Sequence, residues 1–213
     1  MIHPLQSAIA IAAFAIAGGW SSARVAASLA GNQFHIALAA VLCAGFAAWA
    51  LAVMGWTLVF TITLGLAWTL LTLAAIDILA FRLPDILTLP LAAAGLLVSL
   101  TLTHDIWAHV AGAVIGYCVF AVIGWAFARM RGHEGLGLGD AKLAAAAGAW
   151  LGWAPLPSVV LIACAAGFLW VAILAIARGR AALTERIPFG VALTIAIWIV
   201  WLYGPLEILG PAA

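Results

Sequence analysis

Apolar residues fill this chain in long, almost unbroken stretches, and polar residues are confined to short interruptions between them. A helix needs about 20 mostly apolar residues to cross a hydrocarbon core of roughly 30 Å. On that measure the pattern predicts eight helical spans, at about Leu5–Trp20, His35–Val53, Thr57–Leu79, Ile86–Thr101, Ile106–Phe127, Ala141–Trp153, Leu156–Ala177 and Pro188–Tyr203. Ser21, Ser22 and Arg24 close the first span, Gly55 turns the second into the third, and Thr103-His104-Asp105 closes the fourth. Phe81-Arg82-Leu83-Pro84-Asp85 breaks the run between spans three and four, because proline disfavours helix in the residue before it. A polar, glycine-rich loop from Arg129 to Asp140 precedes the sixth span, which is short for a full crossing and implies tilt or local thinning of the bilayer. The expected architecture is therefore all-α, a polytopic membrane helix bundle of about eight transmembrane helices, with residues 1–213 forming a single integral-membrane domain.

Composition sharpens this picture. Of the 213 residues, 68% are hydrophobic and only 7% are charged, against about 25% charged in a soluble domain. Eight Lys and Arg with seven Asp and Glu cannot cover a water-facing surface, so the lipid bilayer is a partner. The net charge of +1 provides no basic field for nucleic acid, and no nucleic-acid partner is expected. Apolar runs recur to the end of the chain, so the first is not a cleavable signal on a soluble protein.

The charges also orient the bundle. Arg24, Arg82, Arg129, Arg131, Lys142, Arg178, Arg180 and Arg186 follow spans one, three, five and seven or open span six. The alternate connections, at Gly55, His104-Asp105, Ala154-Pro155 and the carboxyl-terminal tail, hold no Lys or Arg. Under the positive-inside rule the basic loops are cytoplasmic and both termini lie on the outer, periplasmic side. Trp56, Trp107 and Trp153 fall at span ends, where amphipathic rings prefer to sit.

Two acids stand out. An ionisable side chain within an apolar span is costly and marks a functional candidate. Asp77 lies near the end of span three with apolar neighbours on both sides, and Asp140 lies where the glycine loop meets span six. Both belong to cytoplasmic span ends and therefore to about the same depth. Two carboxylates at one depth suggest an acid/base dyad in which one holds a proton and the other activates water. Two solvated interfacial aspartates, or aspartates paired with Arg82 and Lys142, remain equally open at this point. The run Gly135-Leu136-Gly137-Leu138-Gly139-Asp140 reads as thin backbone against which a substrate strand could lie.

Other chemistries lack their residues. Cys43, Cys118 and Cys164 stand singly in apolar runs with no CxxC pair, so no zinc knuckle or redox dithiol is indicated. They read as small buried hydrophobes. A zinc-protease HExxH would need histidine at 137, where Gly137 follows His133-Glu134. No serine sits in a nucleophile turn, and the glycine loop lacks the spacing of a phosphate cradle. His3, His35, His104, His109 and His133 all read as loop or interface residues. No metal is expected.

The stretch from Asp77 through Arg82-Leu83-Pro84-Asp85 to Pro90 resembles the first signature of bacterial type IV prepilin peptidases. Gly137-Leu138-Gly139-Asp140-Ala141-Lys142-Leu143 resembles their second, 63 residues on, and Ile187-Pro188-Phe189-Gly190 is also typical. Gly18-Gly19 to Leu29 is a weaker echo of the family's amino-terminal segment. The resemblance covers about Thr57 to Tyr203. It implies an eight-helix membrane peptidase domain of the bacterial inner membrane, with Asp77 and Asp140 as the catalytic pair facing the cytoplasm. It further implies that Gly137, Gly139, Pro84, Asp85 and Lys142 are substrate-adjacent or structural. The implied substrates are prepilins or pseudopilins of type IV pili or type II secretion, with a basic leader and an apolar helix, cut just after a glycine.

One departure shapes that expectation. Many members of the family carry an insertion after span one with two CxxC pairs, and also methylate the new amino terminus. Here the connection from Ser21 to Phe34 is short and has no cysteine, so zinc binding is not expected. No nucleotide fingerprint supports an S-adenosylmethionine site, and no cofactor is assigned; the chain reads as a peptidase-only, reduced form. The competing readings are a proton- or cation-coupled transporter using the same acids, and a GxGD protease of the presenilin or signal-peptide-peptidase kind. The transporter reading explains neither the spacing nor Leu-Pro-Asp. The last kind has a tyrosine before its first aspartate, where this chain has Ile76.

Overall fold

A computed structural model describes residues 4–31, 35–103, 105–131, 136–179 and 187–206. Among these, eight α-helices follow one another: α1 Pro4–Ala30, α2 Ile36–Met54, α3 Leu58–Ala80, α4 Asp85–Leu102, α5 Ile106–Arg131, α6 Leu138–Leu151, α7 Leu156–Arg178 and α8 Phe189–Tyr203. The chain divides into two compact units, Met1–Arg82 with α1 to α3 and Leu83–Ala213 with α4 to α8. His3, His104, His133, Glu134, Gly135, Arg180, Glu185, Arg186 and Glu207 lie outside the described residues.

The apolar pattern gave seven of the eight helix starts and ends to within a few residues, and the largest departure is α1. It continues past Ser21, Ser22 and Arg24 to Ala30, where the sequence suggested a stop at Trp20. The polar residues are absorbed rather than expelled. Ser21 Oγ donates back to the carbonyls of Ala17 and Gly18 at 2.7 and 3.1 Å, satisfying its hydroxyl within the helix. Its oxygen also accepts from Trp68 Nε1 at 2.9 Å, and Ser22 and Thr72 join hydroxyls at 2.9 Å, so α1 is stitched to α3. Such bonds between apolar helices replace the hydrophobic drive that lipid removes. In the same unit Gly19 lets α1 meet α2 backbone to backbone, since a Cβ there would lie 2.5 Å from Ala40 Cα.

Six helices, α1 to α5 and α7, are long and apolar enough to cross a membrane. The 14-residue α6 rises only roughly 21 Å, yet it needs no thinned bilayer to explain it. Ala141, Leu143, Ala144, Ala146, Ala147, Gly148, Ala149 and Trp150 are all buried, and α6 packs against α4, α5, α7 and α8 of the second unit. It is short and alanine-rich because protein surrounds it. Gly112 and Gly116 of α5 face Gly148 and Ala144 of α6 with no room for a side chain between the backbones.

His109 departs from its reading as a loop or interface residue. It sits in the first turn of α5 with 6% of its surface exposed. Nδ1 lies 3.0 Å from the Ala149 carbonyl and so donates to it, and Nε2 lies 3.3 Å from Thr103 Oγ1. Trp150 Nε1 donates to the Leu91 carbonyl at 2.8 Å, and its indole lies where a Cβ on Gly95 would stand. The carboxyl-terminal turn of this buried helix is therefore tied by polar bonds to both α4 and α5.

Candidate active site

Asp77 owes its place to the way α3 begins and ends. Thr57 caps the start, its hydroxyl oxygen accepting from the Phe60 N–H at 3.1 Å. At the far end Phe81 turns the chain, with φ 51° and ψ 43°, and donates its N–H to the Asp77 carbonyl at 2.9 Å. Among the described residues Phe81 is the non-glycine with positive φ, a conformation that disfavours side chains and that functional sites often retain. The helix could not in any case run on past Arg82, because Pro84 disfavours helical geometry at Leu83. Asp77 thus occupies the last turn of an apolar helix, 5% exposed.

Asp140 is placed by the opposite kind of helix end. The sequence suggested a loop reaching Asp140; the structure starts α6 at Leu138, with Gly137 as its N-cap and Asp140 in the first turn. The Asp140 amide donates to the Gly137 carbonyl at 3.1 Å, and Oδ2 accepts from the Gly137 N–H at 3.3 Å. Gly137 has no side chain to cap with, so the carboxylate supplies the local closure, as an acid at N3 does in a capping box. An anion there also stands among the unpaired N–H groups of the helix start.

The two glycines differ in what they do. A Cβ on Gly137 would meet its nearest atom, Asp140 Oδ2, at 3.7 Å, an ordinary contact. A Cβ on Gly139 would lie 3.0 Å from Leu83 Cβ and 3.5 Å from its backbone N and O. The thin backbone at Gly139 therefore makes room for Leu83, which is buried. Beside it Lys142 Nζ pairs with Asp85 Oδ1 at 2.5 Å. Asp85 is the first residue of α4, and Pro84 caps that helix by accepting from the amides of Leu87 and Thr88 at 3.0 and 3.1 Å.

The structure thus brings Pro84, Asp85, Gly139 and Lys142 together, with Asp140 next to Gly139 in the chain. Asp77 stands in the first unit, six residues before Leu83 in sequence. Sequence reasoning did not single out Leu83, Phe81, His109 or Trp150. His109 had a signal in the helical run of α5, whereas Leu83 had none in so leucine-rich a chain. Among the described residues no three His, Cys, Asp or Glu side chains gather as a metal site would require.

Comparison with known proteins bears on this same stretch. Residues 64–172, which hold both aspartates and the Leu83–Asp85 and Gly137–Lys142 segments, match the type IV leader peptidase family. A prepilin leader peptidase/N-methyltransferase of Burkholderia pseudomallei is 49% identical over 145 residues, 68% of this chain and 47% of that protein. One of Aeromonas salmonicida is 44% identical over 140 residues, 65% of this chain and 48% of that protein. One of Pseudomonas aeruginosa is 35% identical over 205 residues, 95% of this chain and 68% of that protein. The chain spans about half the length of the first curated relatives it matches. No solved structure matches it.

Proposed function

The chain belongs to the type IV leader peptidase family, and we propose that it is an aspartic endopeptidase that removes the basic leader from type IV prepilins or pseudopilins. The observation that carries this reading is a carboxylate buried in the last turn of an apolar helix, Asp77, in a stretch that also holds Asp140 at a helix start. Burial of an acid in such a helix is costly and is retained for function. Transport gains no support from the family match.

In this proposal Asp77 and Asp140 share one proton, because two close carboxylates cannot both ionise cheaply. The charged carboxylate takes a proton from water as the water oxygen attacks the carbonyl carbon of the leader's glycine. The neutral partner donates its proton to the carbonyl oxygen. Collapse of the tetrahedral intermediate breaks the C–N bond, and a proton passes to the departing amine. Water is consumed, leaving a leader carboxylate and a new amino terminus.

The substrate's apolar helix lies in the bilayer and its basic leader at the cytoplasmic surface of the inner membrane, the side to which the arginine-bearing connections are assigned. Only the peptidase half of the relatives' printed activities is assigned to this chain. Its three cysteines are widely separated, and the connection between α1 and α2 is short. The test is cleavage of a prepilin by purified protein in detergent, read by mass spectrometry. Wild type should cut after glycine and leave an unmethylated product, while Asp77→Asn and Asp140→Asn should each lose at least about 10³-fold in rate. Cleavage retained by either folded variant would remove that aspartate from the mechanism.

A further inference from the structure

The ion pair between Lys142 and Asp85 joins residues 57 apart in sequence, from the second turn of α6 to the first residue of α4. It is open to solvent, with 28% and 56% of the two side chains exposed, and exposed pairs add little to stability. Its location gives it another use. Along α6 each residue turns the helix by roughly 100°, so Gly139, Lys142, Leu143, Ala146 and Trp150 share one side. That side meets α4: Gly139 packs on Leu83, Lys142 holds Asp85, and Trp150 donates to Leu91. Asp140 stands roughly 100° round from this seam. The helix can neither roll nor slide along α4 without breaking one of these contacts. Of the three, the ion pair lies nearest to Asp140 in the chain after Gly139, and it alone can be reversed without changing the packing.

We propose that Lys142 and Asp85 are a positioning pair that sets the rotation of the first turn of α6 and so aims the Asp140 carboxylate. The assignment rests on the peptidase reading for its kinetic consequence, but the geometric claim is separable from it. Neither residue touches substrate in this assignment; both act through the helix that carries Asp140. Misplacing a reacting group by about 1 Å costs on the order of 10²-fold in rate, so the pair should appear in kcat while leaving substrate binding alone.

The experiment compares wild type, Lys142→Ala, Lys142→Arg, Lys142→Asp, Asp85→Lys and the reversed pair Asp85→Lys/Lys142→Asp. Each is assayed for kcat and KM on a prepilin in detergent, for thermal midpoint, and for amide hydrogen exchange over residues 137–142. Lys142→Ala and both single reversals should lower kcat about 10- to 100-fold with KM within about threefold, and should speed exchange in that segment. Lys142→Arg should stay within about threefold of wild type, and the reversed pair should recover most of the kcat and the exchange protection. Wild-type kcat in Lys142→Ala, or a reversed pair no better than the worse single variant, would overturn the assignment. So would losses of kcat that only track a fall in thermal midpoint. If wild type cuts no prepilin, the peptidase reading fails, and exchange alone then decides: segment 137–142 unchanged in Lys142→Ala would dismiss the pair as well.

Discussion

Gly139 is the residue on which the local geometry around Asp140 turns, since a methyl group there would press on Leu83 Cβ at 3.0 Å. Leu83 cannot retreat easily, being buried and fixed by the proline after it. Gly139→Ala should therefore push the first turn of α6 away from α4 and lower cleavage about 10-fold or more. Activity of Gly139→Ala equal to wild type in the prepilin assay would show that the contact yields. Asp77 and Asp140 were legible from sequence because a carboxylate in or beside an apolar run has few inexpensive explanations. Leu83 was not, because a leucine among leucines carries no mark until the backbone it fills is known. Lys142 illustrates the intermediate case: its charge was conspicuous, but whether it faced Asp140 or Asp85 depended on the rotation of α6, which periodicity alone does not fix.

Helices were legible wherever lipid exposure dictated their composition, as in α2 and α7, whose apolar runs end at Gly55 and Gly179. The sequence was less informative where protein replaces lipid. In α1 it placed a stop at Ser21 because polar residues interrupt the run, and the hydroxyl bonds to α3 that accommodate them were invisible without the fold. The packing of α5 on α6 yields a sharp contrast between glycines. A Cβ on Gly112 would lie 2.6 Å from the Gly152 carbonyl carbon and 2.7 Å from the Gly148 oxygen, backbone that no rotamer change can move. Gly112→Ala should separate the two helices and lower the thermal midpoint by several degrees. Gly45→Ala in α2, where nothing lies within 4 Å, should instead hold or raise it, by up to about 1 kcal/mol of helix propensity. Equal midpoints for the two variants in a detergent melt would contradict this packing. His109→Ala should also destabilise, by about 1–3 kcal/mol, because it strands the Ala149 carbonyl beside a new cavity, whereas Thr103 keeps its bond to the Ser99 carbonyl. A midpoint unchanged in His109→Ala would show that water replaces the ring.

Across the whole chain, arginine marks one set of helix ends and avoids the other. Arg82 follows α3, Arg129 lies in the last turns of α5 and Arg178 closes α7, whereas Gly55, Thr103, Gly152 and Gly204 follow the even-numbered helices. Successive crossings alternate sides, so this regularity is what the positive-inside rule requires if all eight helices cross. The short helices make the point testable, since α6 and α8 fall below the length of an ordinary span. Positions 129 and 178 flank α6 and α7. They share a side if both helices cross and lie on opposite sides if α6 does not. Single cysteines at 82, 129 and 178, in a background with Cys43, Cys118 and Cys164 replaced, should all react with an impermeant maleimide only after the inner membrane is opened. Cysteines at the exposed Trp56 and Trp153 positions should react in intact spheroplasts. Labelling of position 178 from outside, with 129 still protected, would mean that α6 is a buried half-span, and the carboxyl-terminal helices would have to be reoriented.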